Sequence, residues 1–326
     1  MSETIGDDCG NGPRDQEPRS ASQGSPKERC QLLLVGDCML GRLVNEVLET
    51  APPEYPWGDT LPILHRADWR LSNLECVISD CGTPWSASPK AFHFRSRAKN
   101  IAVLEAARMN AVSLANNHVL DYGYDAMFEM LRILDRAGII YRGRCESCAG
   151  FAARHRRCAR VQDWTDRSYR QRTWLGSWNG LAGGFYVPTD LTDIRVKRLL
   201  DTIRAYNRVA DYLIVSAHWG SNLGYVRPKE HVAFAHALVD AGADLVFGHS
   251  SYVFRGIEVY KDRPILYGAG NFVDDYAVDT IERNDQSFIY LLEQENRIPQ
   301  TLRLVSNFDP ALPRPSRRRS LRAQHC

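Results

Sequence analysis

The sequence predicts an α/β fold in which helices flank mixed β-sheets. Four continuous apolar runs have the composition of strands buried on both faces, and amphipathic helical patterns alternate with them. Each run is followed directly by Gly, Asn or His, which are residues of turns and ligand sites rather than of strand interiors. The four runs are residues 31–35, 111–115, 212–217 and 243–247.

The first half of the chain is predicted to supply three strands. The run 31–35 is the first, because it is continuous and apolar. Asn73 and Glu75 alternate with apolar residues, so they share one face of a second strand. The run 111–115 is the third. Helical patterns separate these strands over residues 43–48, 100–109 and 124–137.

The second half of the chain repeats this alternation. Residues 256–260 and 264–267 are typical of an antiparallel hairpin, because two short apolar segments flank a polar turn. Further strands are predicted over residues 212–217, 243–247, 287–292 and 300–307, and helices over residues 190–209 and 228–241.

One segment is predicted to cover the strand ends. Residues 87–95 combine Lys90 with alternating aromatic residues, which indicates an edge strand or a loop over the site. His93 within this segment is interpreted as a structural or exposed residue.

Composition excludes several classes of protein. The 326 residues are 25% charged and 44% apolar, as is ordinary for a globular chain. A formal net charge of +2 carries no strong signal for nucleic acid or a membrane surface. No apolar run approaches the roughly 18 residues that span a bilayer. The polar N-terminus lacks the apolar core of a secretory signal, so a cytoplasmic location is expected, with residues 1–29 as a disordered leader.

The nine cysteines do not indicate a disulfide framework, because their number is odd and no spacing repeats. Cys145 and Cys148 form a single Cys-x-x-Cys pair without a second pair of zinc ligands. We therefore interpret the cysteines as incidental thiols.

Residues 142–181 differ in character from the rest of the predicted domain, which covers residues 30–308. Between residues 141 and 180 arginine is frequent and lysine absent, and Val161 and Leu175 alone represent the Val/Ile/Leu set. The segment is therefore not expected to supply a buried strand. It is either a surface insertion that binds an acidic partner or a stretch read in a shifted frame, and we favour the second. The basic tail, residues 309–326, is predicted to be disordered.

Polar side chains that bind metal ions recur at the carboxyl ends of the predicted strands. For any one of them a structural role is the better explanation; Asp37, for example, could cap a helix. Together they are predicted to lie at one place in the fold, because parallel strands place their carboxyl ends at one edge of a sheet. This pattern favours a site in which two cations activate a water molecule. The residues are Asp37, Glu75, Asn117, His118, His218 and His249.

The chain resembles the capsule-synthesis CapA family over about residues 32–307, excepting roughly 142–181. That family is linked to poly-γ-glutamate capsule synthesis and belongs to the calcineurin-like metallophosphoesterase superfamily. The motifs that carry the resemblance are Gly36-Asp37 with Met39-Leu40-Gly41-Arg42, Asn73-Leu74-Glu75, Ala115-Asn116-Asn117-His118 with Asp121 and Gly123, His218-Trp219-Gly220, Gly248-His249, and Tyr267 with Gly270-Asn271-Phe272.

The resemblance implies a metallophosphoesterase-like layered sandwich that holds one or two divalent ions, with Mn, Fe and Zn equally suitable. The implied metal ligands are Asp37 at the first metal, Glu75 as the bridging carboxylate, and Asn117, His218 and His249 at the second metal. His118 would donate a proton to the leaving group, with Asp121 orienting it. The remaining candidates for substrate or supporting roles are Arg42, Asn116, Tyr252 and Asn271.

Two departures from the superfamily pattern concern the first metal. Met39 stands where its phosphoesterases usually carry His, and Tyr252 stands where CapA-like chains carry a last His. A phenol with a pKa of about 10 is a poor ligand at neutral pH. The first site is therefore expected to be depleted, and a mononuclear or metal-free site is the alternative.

The resemblance leaves two functions open. The first is a metal-dependent hydrolase, either a phosphoesterase or an enzyme that cleaves an amide-linked polymer. The second is a non-catalytic accessory protein of polymer synthesis or export. The expected partners are a polyanionic polymer or a phosphorylated small substrate, and membrane-associated synthesis machinery, since some relatives are membrane-anchored and extracellular. Nucleic acid is not expected, because the arginines lack interleaved aromatic residues.

Overall fold

The computed structural model describes residues 29–86, 90–142, 172–178 and 185–306. Within these residues, two mixed β-sheets stack face to face and helices cover the outer face of each sheet. This arrangement in four layers confirms the predicted layered α/β fold. Residues 1–28 of the predicted leader 1–29, the whole predicted tail 309–326, and both Cys145 and Cys148 lie outside the described residues, whereas Arg29 begins the first strand.

The strands and helices are numbered along the chain. The strands are β1 (Arg29–Cys38), β2 (Trp69–Leu74), β3 (Val77–Ile78), β4 (Arg95–Ser96), β5 (Ala111–Ser113), β6 (Ile140–Arg142), β7 (Arg172–Trp178), β8 (Phe185–Tyr186), β9 (Tyr212–His218), β10 (Leu245–His249), β11 (Ile257–Tyr260), β12 (Arg263–Leu266), β13 (Asn271–Val273), β14 (Phe288–Glu295) and β15 (Ile298–Ser306). The helices are α1 (Arg42–Val47), α2 (Leu61–Arg66), α3 (Ile101–Ala106), α4 (Gly123–Arg136), α5 (Ile194–Asn207) and α6 (Lys229–Asp240).

The two sheets have different strand orders. The first sheet runs β15-β14-β1-β2-β5-β6, with β13 paired to the end of β1. The second sheet runs β11-β12-β10-β9-β7-β8, and β11 and β12 form the predicted antiparallel hairpin. Strands β1, β2, β5 and β6 are mutually parallel, as are β7, β9, β10 and β12.

Alternating side chains of each central strand serve two different cores. Leu32 and Leu34 of β1 pack between the sheets, together with Ile214 of β9. Leu33 and Val35 point the other way and pack under the helices of the first sheet. Because both faces are covered, each fully buried leucine contributes about 1.5–3 kcal/mol of hydrophobic stabilisation. This double burial explains why the runs are continuous rather than alternating.

The expectation that residues 142–181 cannot supply a strand is wrong. Residues 172–178 form β7, which pairs in parallel with β9 and occupies an interior position of the second sheet. The expectation rested on the scarcity of Val, Ile and Leu, yet Trp and Thr are also strong strand formers. Residues 143–171 and 179–184 lie outside the described residues, so both explanations of this segment remain predictions.

Several helices are shorter than predicted, for local reasons. Helix α3 ends at Ala106, and Arg108 adopts a left-handed conformation with φ of 54° that closes it. Helix α5 begins at Ile194 because the Asp193 side chain caps it by accepting a hydrogen bond from the Arg195 amide. Of the helices that the structure describes, none is long and apolar enough to cross a bilayer.

Candidate metal centre

Four buried side chains converge where strands of the two sheets end. Nδ1 of His249 lies 3.1 Å from Nδ1 of His218 and 4.0 Å from Oδ1 of Asp37. Nδ1 of His218 lies 3.9 Å from Oε2 of Glu75. His218 and His249 end β9 and β10, while Asp37 and Glu75 come from the ends of β1 and β2. The structure therefore brings together four of the five predicted metal ligands.

The spacing of the donor atoms of Glu75, His218 and His249 suits a single bound cation. Two nitrogen ligands at 2.0–2.1 Å from a tetrahedral Zn²⁺ are about 3.3 Å apart, and the two Nδ1 atoms are 3.1 Å apart. Ligand atoms of Glu75, His218 and His249 all lie within 4.8 Å of one another. A donor set of two imidazoles and carboxylate oxygens accommodates Mn, Fe or Zn.

A pair of serine hydroxyls determines which nitrogen of His249 faces the cluster. Oγ of Ser216 donates to Oγ of Ser113 at 2.8 Å and lies 2.7 Å from Nε2 of His249. Since the Ser216 proton is already donated, its oxygen accepts from Nε2–H, and the network assigns the free lone pair to Nδ1. Outer hydrogen bonds of this kind orient metal-binding histidines. The same hydroxyl pair joins β5 of the first sheet to β9 of the second.

Burial sets the protonation of the cluster. It raises the pKa of Asp37 to about 7, and it raises the pKa of Glu75 well above the usual range, with the Asp37 charge adding to the effect. Burial also lowers the pKa of His249 to about 3 and that of His218 well below its ordinary value. The imidazoles are thus neutral, as metal ligands must be, and a divalent cation would relieve the repulsion between the carboxylates.

Two buried asparagines hold the carboxylates in place. Nδ2 of Asn73 donates to Oδ1 of Asp37 at 2.8 Å and also contacts Oε2 of Glu75. Nδ2 of Asn116 donates to Oδ1 of Asn73 at 2.9 Å and to the Leu74 carbonyl at 2.8 Å. Asn116 and Asn73 are therefore both part of the frame of the site. The sequence pattern places Asn73 on the strand face of Glu75 and in the same motif, but it does not predict that Asn73 binds both carboxylates.

Asn117 does not lie in the cluster. Its side chain is exposed, and its backbone carbonyl accepts a hydrogen bond from Lys90. The chain turns directly after β5, so Asn116 points inward and Asn117 points outward. The Oδ1 atom of Asn116 then accepts from the backbone N–H of His118 at 3.0 Å, which fixes this turn.

His118 presents one nitrogen to the cluster and the other to Asp121. Its Nε2 lies 3.9 Å from Oε1 of Glu75, and its Nδ1 lies 2.6 Å from Oδ2 of Asp121. The ring stacks on Phe94 with centroids 4.1 Å apart. Burial lowers the pKa of His118, and the hydrogen bond to Asp121 opposes that shift. The predicted orientation of His118 by Asp121 corresponds to a direct contact.

The rim of the site contains the remaining candidates. The Tyr252 ring stacks on Tyr276 with centroids 4.5 Å apart, and burial raises the pKa of its phenol. The Arg42 guanidinium lies 5.9 Å from the Tyr276 ring centroid, and its Nε lies 3.5 Å from Oδ2 of Asp275. Arg42 thus forms an ion pair with Asp275 at the rim. This pairing is an alternative to the role of binding an anionic substrate.

Asn271 lies beside the first carboxylate. It occupies the position paired with Asp37 in the parallel β1–β13 ladder, so the two side chains share a face. Its Nδ2 is buried and has no hydrogen-bond partner among the residues that the structure describes. A buried donor without a partner is costly, so this atom is placed to donate to an oxygen of a bound molecule.

Met39 is turned away from the cluster. Its sulfur accepts a hydrogen bond from the Gly41 amide at 3.2 Å, and the side chain packs in the core of the first sheet. The position that would add an imidazole in a phosphoesterase is thus an apolar residue engaged elsewhere.

Comparison with known proteins gives the family. Residues 31–276 match the family model described as bacterial capsule synthesis protein PGA_cap. The chain belongs to this capsule-synthesis family.

Individual proteins of known name agree with this family assignment. The probable polyglutamine synthesis accessory protein MT0602 of Mycobacterium tuberculosis is 32% identical over 299 residues, covering 75% of this chain and 74% of its own. The capsule biosynthesis protein CapA of Bacillus anthracis is 27% identical over 256 residues, covering 76% of this chain and 60% of its own. The predicted relation to capsule and polyglutamate synthesis is confirmed at the level of the family.

A solved structure was also found to be similar. A hypothetical protein from Thermus thermophilus aligns with a TM-score of 0.47 and 15% identity, covering 85% of this chain and 98% of that one.

Proposed function

We propose that this capsule-family protein is a metal-dependent hydrolase of the phosphoesterase type. The observation that carries the proposal is the cluster itself, in which two neutral imidazoles and two buried carboxylates meet beside His118. Buried carboxylates 4 Å or less from imidazoles of depressed pKa are costly to maintain unless they serve a bound group.

The residues in and around the cluster would have different roles in hydrolysis. Asp37, Glu75, His218 and His249 would hold the cation, which when bound would activate water and polarise a phosphoryl oxygen. Nδ2 of Asn271 would donate to an oxygen of the substrate. His118, with Nε2 facing the cluster and Nδ1 held by Asp121, would carry the proton that the leaving group receives.

The substrate would be anionic. A phosphorylated small molecule fits the hydrolase chemistry, and a polyanionic capsule polymer fits the names of the relatives. Association with membrane-bound synthesis machinery is the corresponding proposal for a partner protein.

Metal content and turnover test the proposal together. Purified protein should retain close to one equivalent of Mn, Fe or Zn and should hydrolyse p-nitrophenyl phosphate with added Mn²⁺. The variant His218→Ala should lose both the metal and the turnover, because it removes one of two imidazoles from the cluster. His236→Ala is the matched control, since this half-buried imidazole bonds Glu258 and does not belong to the cluster.

The second candidate is a non-catalytic accessory protein that retains the fold. Two observations favour it: Met39 contributes no ligand, and a relative is called an accessory protein. Absence of bound metal in the wild type, with no turnover for any metal added, would support this role and refute the hydrolase.

A further inference from the structure

Lys90 lies beside the acid–base pair at the edge of the site. Its ammonium contacts Oδ1 of Asp121, donates to the Asn117 carbonyl, and lies 3.3 Å from Nδ1 of His118. The same segment continues to Phe94, whose ring stacks on His118. Residues 90–94 therefore cover one side of His118, in agreement with the prediction of a loop over the site.

The Asp121 carboxylate depends on this segment for its partners. It is 1% exposed, and its Oδ2 accepts from the Phe94 amide at 2.7 Å and faces Nδ1 of His118 at 2.6 Å. Lys90 supplies the positive charge in contact with Oδ1. A buried carboxylate that loses a charged partner is strongly destabilised in its position and turns away from it.

The distances separate the roles of the two groups around the His118 ring. An ammonium has donors and no acceptor, so Lys90 cannot accept Nδ1–H of His118. Asp121 is the closer neighbour of Nδ1, at 2.6 Å against 3.3 Å for Lys90. Lys90 thus occupies one carboxylate oxygen and leaves the other to the ring.

We propose that Lys90 is a positioning residue for His118, acting through Asp121. By holding Oδ1 of Asp121 and the Asn117 carbonyl, it fixes the turn so that Nδ1–H of His118 meets Oδ2 and Nε2 faces Glu75. The kinetic consequence rests on the proposed hydrolase function, whereas the orientation of the ring is a property of the chain itself.

Ring-nitrogen NMR tests the orientation independently of activity. With ¹⁵N-labelled histidine, the wild type should show a His118 Nδ1–H proton that exchanges slowly with solvent, assigned by its loss in His118→Asn. In Lys90→Met this proton should exchange about tenfold faster or more, because the carboxylate that holds it is released. Lys90→Arg should restore most of the protection. Lys99→Met is the control, since Lys99 pairs with exposed Glu49.

Steady-state kinetics tests the consequence. In Lys90→Met, kcat should fall about 10- to 100-fold through misplacement of the ring, while KM changes little. If KM rose with kcat unchanged, Lys90 would bind substrate directly and the proposal would be wrong. If Nδ1–H exchange were the same in Lys90→Met and the wild type, the proposal would also fail. A wild type without turnover would refute the hydrolase alone, because the NMR comparison would still decide the role of Lys90.

Discussion

The imidazoles of His249 and His118 face the same cluster but are held in different ways. His249 is the last residue of a buried strand, is fully enclosed, and has its Nε2 fixed by a serine hydroxyl. His118 lies in a turn, and its Nδ1 is held by a carboxylate that in turn contacts a partly exposed lysine. The strand-held ring has neutral partners and suits a permanent ligand. The turn-held ring has charged partners and suits proton transfer.

Removal of the His118 imidazole should give the largest effect, and it should distinguish the role of His118 from that of His249. In His118→Asn, kcat for p-nitrophenyl phosphate should fall about 10²- to 10⁴-fold, the usual contribution of a general acid. Bound metal, measured by elemental analysis, should stay at the wild-type level, because His118 is not among the ligands. Loss of metal in this variant would remove the distinction between the two rings.

The titration of Asp37, at the end of β1, should be visible in the pH dependence of the free energy of unfolding. Burial raises the pKa of Asp37 from 3.8 to about 7, so the folded metal-free protein holds a proton that the unfolded chain releases above pH 4. Stability should therefore be lost as pH rises from about 4 to 7, by up to roughly 4 kcal/mol at 1.36 kcal/mol per pKa unit.

Comparison with Asp37→Asn measures this contribution together with the part of the raised Glu75 pKa that the Asp37 charge causes. The depressed pKa of His249 acts with the opposite sign, because its stabilisation is lost as pH falls from about 6.5 toward 3, but it is common to both proteins. Urea unfolding of the metal-free proteins at several pH values should give a smaller decline with rising pH for Asp37→Asn. Equal pH slopes for the two proteins would contradict the assignment of a raised pKa to Asp37.

The serine hydroxyl behind His249 should have the smallest effect. Ser216→Ala removes the acceptor of Nε2–H, so the ring can rotate or change tautomer, and metal affinity should fall about 10- to 100-fold. Competition with a chromophoric chelator measures this change. Thr202→Ala, which removes a hydroxyl from the exposed surface of α5, should bind metal as the wild type does. An unchanged affinity in Ser216→Ala would show that the strand alone holds the ring.

The strand-held half of the site was readable from the sequence. His218, His249 and Asp37 each come at the end of an apolar run, and Glu75 alternates with apolar residues on a strand. Parallel strands must bring such positions to one edge. The α/β class followed from the same runs, and the layered arrangement followed from the family resemblance. In these cases a local pattern determines where the side chain goes.

The surroundings of His118 were harder to predict from the sequence, because they depend on the geometry of a turn and on contacts between residues far apart in the chain. Asn116 and Asn117 are adjacent, and nothing local indicates which of them points inward. Lys90 and Asp121 are 31 positions apart, and Ser113 and Ser216 are 103 positions apart. Such contacts arise only from the register of the strands and the stacking of the sheets. Strand β7 was missed for a different reason, because strand propensity was judged on aliphatic residues alone.

The hydroxyl pair Ser113–Ser216 lies on the seam between the two sheets, and the ligands divide along that seam. Asp37 and Glu75 are made early in translation and belong to the first sheet, whereas His218 and His249 are made late and belong to the second. A nascent chain therefore carries the two carboxylates and His118 without the imidazoles of His218 and His249 until the second sheet docks. If the cluster binds a cation as proposed, binding at full affinity would be a late event in biogenesis and would report that the two sheets have joined.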